Sequence, residues 1–126
     1  MVAAWLLPDE SDARALALLA EIKQGSAVAP YLLLYEVRNL LVISVRRGRL
    51  TQVDADRLLL RFHHLRIGYI EPKDESLISA HAAKYSLTAY DATFLALASQ
   101  LALPLATFDK RLRTAAHEAD VSVLPE

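Results

Sequence analysis

The sequence contains no cysteine, only three glycines and five prolines, and no long apolar run. The lack of cysteine excludes a disulfide framework, a thiolate metal site and a cysteine nucleophile, and it fits a reducing compartment such as the cytoplasm. The longest apolar run, Met1 to Leu7, is far shorter than the roughly 18 residues that a membrane-spanning helix needs. No basic stretch precedes an apolar one at the N-terminus, so no signal peptide is predicted.

An excess of charge of either sign is also missing. The chain has 14 Lys and Arg against 15 Asp and Glu, which gives a net charge of −1. No general basic field would therefore attract nucleic acid, and any such binding must be local and assisted by a metal. The hydrophobic share is 54% of 126 residues, enough to build a core. We expect a single domain over residues 1–126.

Apolar residues recur at helical spacing over most of the chain, as in Ala15, Leu18, Leu19 and Ile22. Short apolar or β-branched segments separate these stretches, and their order predicts an α/β fold with a mostly parallel sheet covered on both faces. Ligands of such sheets bind beyond the carboxyl ends of the strands. The predicted helices are Asp12–Gln24, Tyr31–Arg47, Thr51–His63, Asp74–Tyr85, Thr88–Leu101 and Lys110–Ala119, and the predicted strands are Ala27–Ala29, Arg66–Ile70, Leu103–Phe108 and Val121–Leu124.

Three acidic residues occupy positions that differ from those of ordinary surface acids. Glu36 lies among leucines at helical offsets, which predicts an inward-facing carboxylate. Its alternative role is that of an acid near a helix start, favoured by the helix dipole. Asp91 follows Thr88 by three residues, so it could belong to a capping box. Asp109 comes directly after a predicted strand, where it could be a plain N-cap.

A carboxylate cluster would form if these three acids met at the sheet edge. Two carboxylates about 4 Å apart repel each other by roughly 4 kcal/mol at an effective dielectric constant of 20. Such a cluster is stable when a cation lies between the acids or when one acid is protonated. Oxygen ligands without cysteine or clustered histidine favour Mg²⁺ or Mn²⁺ over Zn²⁺. The predicted ligands are therefore Glu36, Asp91 and Asp109.

Four segments around these acids carry a resemblance to a known family. The sequence resembles PIN-domain ribonucleases of the VapC toxin type, and the resemblance covers nearly the whole chain in the family's order. The last two of the four segments are the most specific. The segments are AWLLPDE at Ala4–Glu10, YEVRNLL at Tyr35–Leu41, LTAYDATFLALA at Leu87–Ala98 and LPLATFDKRL at Leu103–Leu112.

The resemblance implies a three-layer α/β/α sandwich and a metal-dependent endoribonuclease that acts as the toxin of a toxin–antitoxin pair. It further implies a cognate antitoxin protein, an RNA substrate and a homodimer. Glu36, Asp91 and Asp109 match three of the family's four acidic residues, both as catalytic residues and as ligands of Mg²⁺ or Mn²⁺. Thr107 matches a small hydroxyl residue of the family, and Asn39 matches a polar residue beside the acidic site.

The family's first acid, at the end of its first strand, has no counterpart here. Asp9 and Glu10 match a later position of the family, at the start of its first helix. We expect either a chain truncated at its N-terminus or a degenerate member. The alternative function is thus a non-catalytic PIN-like module that acts only through protein–protein binding. A receiver-like phosphorylation domain is less favoured, because the acidic pair after its first strand is missing.

Two further expectations concern the surface. Lys110, Arg111 and Arg113 flank Asp109, so they are predicted RNA contacts. The basic run Arg46–Arg49 fits the end of a helix better than a phosphate site. Apolar residues at Trp5 to Leu7 and at Val42 to Val45 exceed what one small core would absorb, which predicts a homodimer interface. The expected partners are therefore an RNA substrate, an antitoxin protein and a second copy of the chain, and no membrane is expected.

Overall fold

The computed structural model of the chain describes residues 1–126 apart from the side chain of Pro8. The described residues form seven α-helices, four short strands and a 3₁₀ turn at Pro8–Glu10. The helices are α1 (Val2–Leu6), α2 (Ala13–Lys23), α3 (Leu32–Arg46), α4 (Gln52–His63), α5 (Ser76–Tyr85), α6 (Ala89–Leu101) and α7 (Lys110–Glu118). The strands are β1 (Ala27–Ala29), β2 (Ile67–Tyr69), β3 (Leu105–Ala106) and β4 (Val123–Leu124).

The helices α2, α4, α6 and α7 each begin at a residue whose side chain caps the helix. The Asp12 carboxylate accepts a hydrogen bond from the backbone N–H of Arg14 at 2.8 Å, and the Thr51 hydroxyl accepts one from Asp54 at 3.1 Å. These bonds satisfy N–H groups that lack a partner within the helix. After α3 the chain turns through Gly48, whose φ of 73° is one that glycine tolerates without strain. The predicted α/β class and the six predicted helices are confirmed.

Two compact units divide the chain, Met1–Gly68 and Tyr69–Glu126. The strand β1 pairs with β2, of which Ile67 and Gly68 belong to the first unit. Apolar side chains of α1, α3 and α4 form the core of this unit. The prediction of a single domain stays a prediction. The buried core residues of the first unit are Leu6, Val37, Leu41, Ala55 and Phe62.

The N-terminal apolar run belongs to this core. Leu6 and Leu7 are buried, and Trp5 packs against the core while its Nε1 donates a hydrogen bond to the carbonyl oxygen of Ala15 at 2.7 Å. The expectation that these residues offer apolar surface for a dimer is therefore wrong. In the second proposed apolar patch, Val42 to Val45, the side chain of Val42 is exposed.

The second unit is built around α6, which packs against α5 on one side. Its strands β3 and β4 are parallel, with Leu105 opposite Val123 and Ala106 opposite Leu124. Because α6 is apolar around much of its circumference, several of its residues are buried. The core of this unit contains Leu87, Ala92, Leu95, Ala98, Leu105, Leu112, Ala115, Ala116, Val121 and Val123.

Differences from the predicted elements concern the first helix and the strands. The helix α1 was not predicted, and β2, β3 and β4 are shorter than the apolar segments that predicted them. The ladder between β3 and β4 has two residue pairs, and hydrogen bonds at its ends join the N–H of Leu105 to Ser122 at 2.8 Å and the N–H of Thr107 to Leu124 at 3.0 Å. Of the helices that the structure describes, none has the length and apolar character needed to cross a membrane.

Candidate active site

Asp91 lies in the first turn of α6. The Thr88 hydroxyl accepts a hydrogen bond from the backbone N–H of Asp91 at 3.1 Å, which confirms Thr88 as the N-cap. The carboxylate is half-buried, and its partial burial raises the pKa of Asp91 above the usual range. The negative charge of Asp109 raises this pKa further, whereas a hydrogen bond from Thr88 and the positive charge of Arg111 oppose the rise.

Asp109 lies between β3 and α7, and both its carboxylate and its backbone N–H are hydrogen-bonded. Its carboxylate oxygen Oδ1 accepts a hydrogen bond from the N–H of Leu112 at 2.8 Å, so Asp109 is the N-cap of α7. Its own N–H donates to the hydroxyl of the buried Thr107 at 3.1 Å. The simple N-cap interpretation is thus correct. Because the charge of Asp109 also acts on Asp91, the cap carboxylate has an electrostatic effect beyond its own helix.

These two carboxylates form a pair within the second unit, hereafter the acidic pair. Both start a helix, and their like charges oppose each other. A cation bound between them would relieve that repulsion, and carboxylate oxygens are the ligands that Mg²⁺ and Mn²⁺ prefer. The donor chemistry of the acidic pair therefore fits a divalent cation, for which it would supply two of the ligands.

Glu36 belongs to the first unit, and its side chain is exposed. The buried positions of α3 are Val37, Leu41 and Ser44, so the predicted inward-facing position of Glu36 is wrong. The reason is that apolar residues surround most of α3, and its contacts with α4, rather than periodicity, decide which stripe is buried. The Glu36 carboxylate lies within electrostatic reach of the Met1 amino group.

Within the part of the chain that the structure describes, no three His, Asp or Glu side chains are arranged to hold a metal ion. The structure brings Asp91 and Asp109 into one electrostatic environment. The convergence of Glu36 with them stays a prediction, as does its role as a ligand.

The three cations beside Asp109 have different surroundings. The Arg113 guanidinium donates to the carbonyl oxygens of Thr107 and Pro125, both at 2.8 Å. It therefore joins the residues that follow β3 and β4, which is a structural role, and its predicted contact with RNA stays a prediction. Lys110 and Arg111 are exposed, and the charge of Arg111 reaches Asp91. These two remain candidates for contact with RNA.

The acids of the 3₁₀ turn are engaged elsewhere in the first unit. Arg49 Nη2 lies 2.8 Å from a carboxylate oxygen of Asp9 and 3.1 Å from one of Glu10. The Arg49 guanidinium holds the pKa of Asp9 below its usual range. Arg49 thus ties the end of α3 to the turn after α1, which agrees with a structural role for the basic run Arg46–Arg49.

A groove next to the acidic pair was not predicted from the sequence. Its volume is about 330 Å³, and we refer to it as the α7 groove. The signal in the sequence was the spacing of polar residues along Lys110–Glu118, which places several of them on one side of a helix. The α7 groove is lined by Tyr85, Lys110, Arg111, Thr114, Ala115 and Glu118.

Comparison with known families agrees with the resemblance seen in the sequence. The family model of the PIN domain matches residues 1–118. No curated protein sequence matches the chain significantly. PIN domains are generally nucleases, often toxins, and they typically bind divalent metal ions. The seven helices and the short parallel strands agree with the fold that the match implies. The chain therefore belongs to the PIN-domain family.

Proposed function

We propose that the protein is a metal-dependent endoribonuclease, the toxin of a toxin–antitoxin pair, that hydrolyses RNA phosphodiester bonds. The observation that supports this most is the acidic pair, because two carboxylates with opposing like charges suit a divalent cation. The pair lies in a chain whose family generally consists of nucleases. A function in the reducing cytoplasm is in keeping with the lack of cysteine.

In this proposal Asp91 and Asp109 would hold Mg²⁺ or Mn²⁺, and Glu36 would be the third ligand or would orient the attacking water. The bound cation would supply Lewis-acid activation of water and screen the charge of the phosphate. Mg²⁺ retains several water molecules in protein sites, so indirect ligation by any of the three acids suffices.

The protein positions the two carboxylates before any ligand arrives. The Thr107 hydroxyl and the Leu112 N–H fix the backbone and the side chain of Asp109, and Thr88 does the same for Asp91. Carboxylates held by such neighbours lose little conformational freedom on binding. The positive charge of Arg111 lowers the cost of ionising Asp91 and would also attract the RNA phosphate.

Protein partners are part of the proposal. We propose a homodimer and a cognate antitoxin, in keeping with the resemblance to VapC toxins. In the first unit, large apolar side chains are exposed on two helices: Tyr35 on α3 is 69% exposed, and Val53 and Leu60 on α4 are 59% and 60% exposed. Exposed apolar surface of this kind often marks an interface. These residues replace Trp5 to Leu7 as the candidate dimer surface.

The experiment is cleavage of a mixed pool of single-stranded RNA with Mg²⁺, with Mn²⁺ and with EDTA. Asp91→Asn and Asp109→Asn should each abolish metal-dependent cleavage. Asn is the right substitution at Asp109 because it still caps the helix while removing the charge. The matched control is Asp120→Asn, since Asp120 is exposed in the same unit and its φ of 58° suits Asn.

The role of Glu36 needs its own comparison. Glu36→Gln should reduce cleavage strongly, whereas Glu21→Gln, an exposed glutamate on α2 of the same unit, should not. Equal cleavage by these two variants would remove Glu36 from the site. Metal-independent cleavage, or full cleavage by Asp91→Asn, would overturn the nuclease proposal.

A second candidate is a non-catalytic module that acts through protein binding. The observation in its favour is that Asp109 already has a structural task, since its carboxylate caps α7. In that case purified protein would not cleave RNA under any metal condition. It would still bind its partner, and Asp91→Asn would leave that binding unchanged.

A further inference from the structure

We propose that the α7 groove binds the nucleotide of the RNA substrate that flanks the cleaved phosphate. This inference rests on the proposed nuclease function, because it identifies a subsite beside the acidic pair. The groove shares Arg111 with the pair, since Arg111 lines the groove and its charge acts on Asp91. Lys110, which also lines it, follows Asp109 directly. A bound strand would therefore reach the groove and the acids together.

The size of the groove suits a single nucleotide. Its volume of about 330 Å³ is at the lower end of small-molecule pockets, which hold ~300–1,000 Å³. Lys110 and Glu118 are eight residues apart on α7, which corresponds to about 12 Å along the helix axis. One nucleotide, from its phosphate to the edge of its base, extends over a comparable length.

The chemistry of the lining changes along α7. Lys110 and Arg111 place two cations at the end near Asp109, where a phosphate would bind. Glu118 places a carboxylate at the far end, where it can accept a hydrogen bond from an exocyclic amine such as that of cytosine. The Thr114 hydroxyl lies between them and donates to the carbonyl oxygen of Lys110 at 3.0 Å. Its oxygen can still accept a hydrogen bond from a ribose hydroxyl.

Tyr85 supplies the wall of the groove on the α5 side. Its ring stacks on the buried His81, with a centroid distance of 5.5 Å and an interplanar angle of 19°. The Lys84 ammonium lies 5.3 Å from the centroid of the same ring. The Tyr85 ring is thus packed against His81 and lies beside a lysine cation, and aromatic rings next to positive charge are common in sites that bind single-stranded nucleic acid.

These features favour RNA over an acidic protein segment. Lys110, Arg111 and Lys84 would attract either polyanion. Glu118, however, would repel a second carboxylate, whereas it can hydrogen-bond to an uncharged base. An acidic peptide that uses the groove is therefore treated as a competing outcome of the test.

The test measures binding of a fluorescein-labelled single-stranded RNA oligonucleotide by anisotropy, with every variant placed in the Asp91→Asn background to prevent cleavage. Lys110→Ala should weaken binding by about fivefold and reduce the slope of log K against log salt by about 0.7, the value for one lost phosphate contact on a single strand. Lys73→Ala, an exposed lysine outside the groove in the same unit, is its matched control. Circular dichroism verifies that each variant is folded.

Glu118 provides a test of opposite sign. Glu118→Gln should strengthen RNA binding by about twofold, because it removes a negative charge from the groove while leaving a hydrogen-bonding side chain. Glu75→Gln, at an exposed glutamate outside the groove, should have no effect.

Three results would overturn the inference. The first is equal binding by Lys110→Ala and Lys73→Ala, and the second is equal RNA binding by Glu118→Gln and Glu75→Gln. The third is binding of poly-L-glutamate that depends on Lys110 while RNA binding does not, which would assign the groove to an acidic protein. Because binding is measured without cleavage, an inactive wild-type protein would count against the nuclease proposal alone.

Discussion

Asp91 carries a charge that the folded second unit does not favour. Burial and the charge of Asp109 raise its pKa above the usual carboxyl range. For an acid whose pKa is higher in the folded than in the unfolded state, stability is greatest below the unfolded pKa and falls as the pH rises through the folded pKa. At neutral pH the ionised Asp91 therefore lowers stability until a cation or another positive group offsets its charge.

We predict that Asp91→Asn raises the free energy of unfolding at neutral pH in EDTA, because it removes the repulsion with Asp109. The gain should stay below about 1 kcal/mol, since charges that are partly exposed are screened by solvent. Added Mg²⁺ or Mn²⁺ should stabilise the wild type more than the variant. Urea unfolding with and without metal measures both effects. A less stable Asp91→Asn in EDTA would contradict the assigned repulsion.

A second residue prediction concerns His81. The side chain is only 8% exposed, and its Nε2 has no hydrogen-bond partner among the described residues. Burial and then the charge of Lys84 lower the pKa of His81 from its usual 6.5. Because the unfolded chain binds the proton of His81 more readily, the folded state has its full free energy of unfolding above about pH 6.5. This free energy decreases as the pH falls from there towards the folded pKa.

His81→Phe should remove this acid-dependent loss, because phenylalanine preserves the stack on Tyr85 and has no group to protonate. The variant should also be slightly more stable at neutral pH, since it eliminates a buried polar atom without a partner. Unfolding curves between pH 5 and pH 7 measure the slope of the free energy of unfolding against pH. His117→Gln, at an exposed histidine, is the control. An unchanged slope in His81→Phe would assign the acid sensitivity to other groups.

At the scale of single residues, the sequence predicts local features such as helix caps, but it does not predict which side chains are buried by packing. Asp91 and Asp109 were predictable as helix-start acids because caps are local, and both starts are confirmed. The orientation of Glu36 was not predictable, because apolar residues all around α3 leave the buried stripe to be chosen by packing against α4. The stacking of His81 on Tyr85 follows helical spacing, but the burial of His81 depends on distant residues.

Among the structural elements, α7 is fastened to the strand ends through Arg113. Its guanidinium donates to Thr107 and Pro125, which follow β3 and β4 respectively. Since strands of two residues offer few ladder hydrogen bonds, this side chain contributes substantially to the local structure. The same contacts hold Thr107, whose hydroxyl accepts the hydrogen bond from the N–H of Asp109.

We predict that Arg113→Met destabilises the protein by about 2 kcal/mol, because two carbonyl oxygens lose charge-assisted hydrogen bonds. Arg113→Lys should restore little of this, since one ammonium group lacks the planar fork that reaches both oxygens. Arg111→Met, two residues earlier and exposed, is the control for stability and should change it by less than about 0.5 kcal/mol. Equal unfolding midpoints for the two Met variants would disprove this role.

Helices were more predictable than strands for a physical reason. A helix has its own start and stop signals, such as Asp12, Thr51 and Gly48, which act within one turn. A strand exists only where a partner pairs with it, so the apolar segment Leu103–Phe108 yields a ladder of two residues opposite β4. The helix α1 lacks a side-chain cap, which left it without a signal in the sequence.

For the whole molecule, we predict a homodimer in solution that depends on the exposed face of α4. Val53 and Leu60 are seven residues apart on this helix, so they lie on one face. Leu60→Glu should convert the dimer to a monomer, because it introduces a charge into apolar contact surface. Leu16→Glu, at a leucine of α2 that is 45% exposed, should leave the dimer intact.

Light scattering at tens of micromolar protein measures the mass of each species. A monomeric wild type at that concentration would refute the dimer, and a dimeric Leu60→Glu would locate the interface elsewhere. The RNA and antitoxin proposals do not depend on this outcome, since the acidic pair lies within a single unit of one chain.

The hydrogen bond between Trp5 and Ala15 gives the protein an intrinsic spectroscopic probe. Trp5 is the one tryptophan in the sequence, and it packs within the first unit with its indole N–H bonded at 2.7 Å. Selective excitation of its fluorescence therefore monitors the unfolding of the first unit. Circular dichroism averages over the helices of both units. The difference between the two signals then reveals whether the half that carries the acidic pair melts in step with the half that carries Glu36.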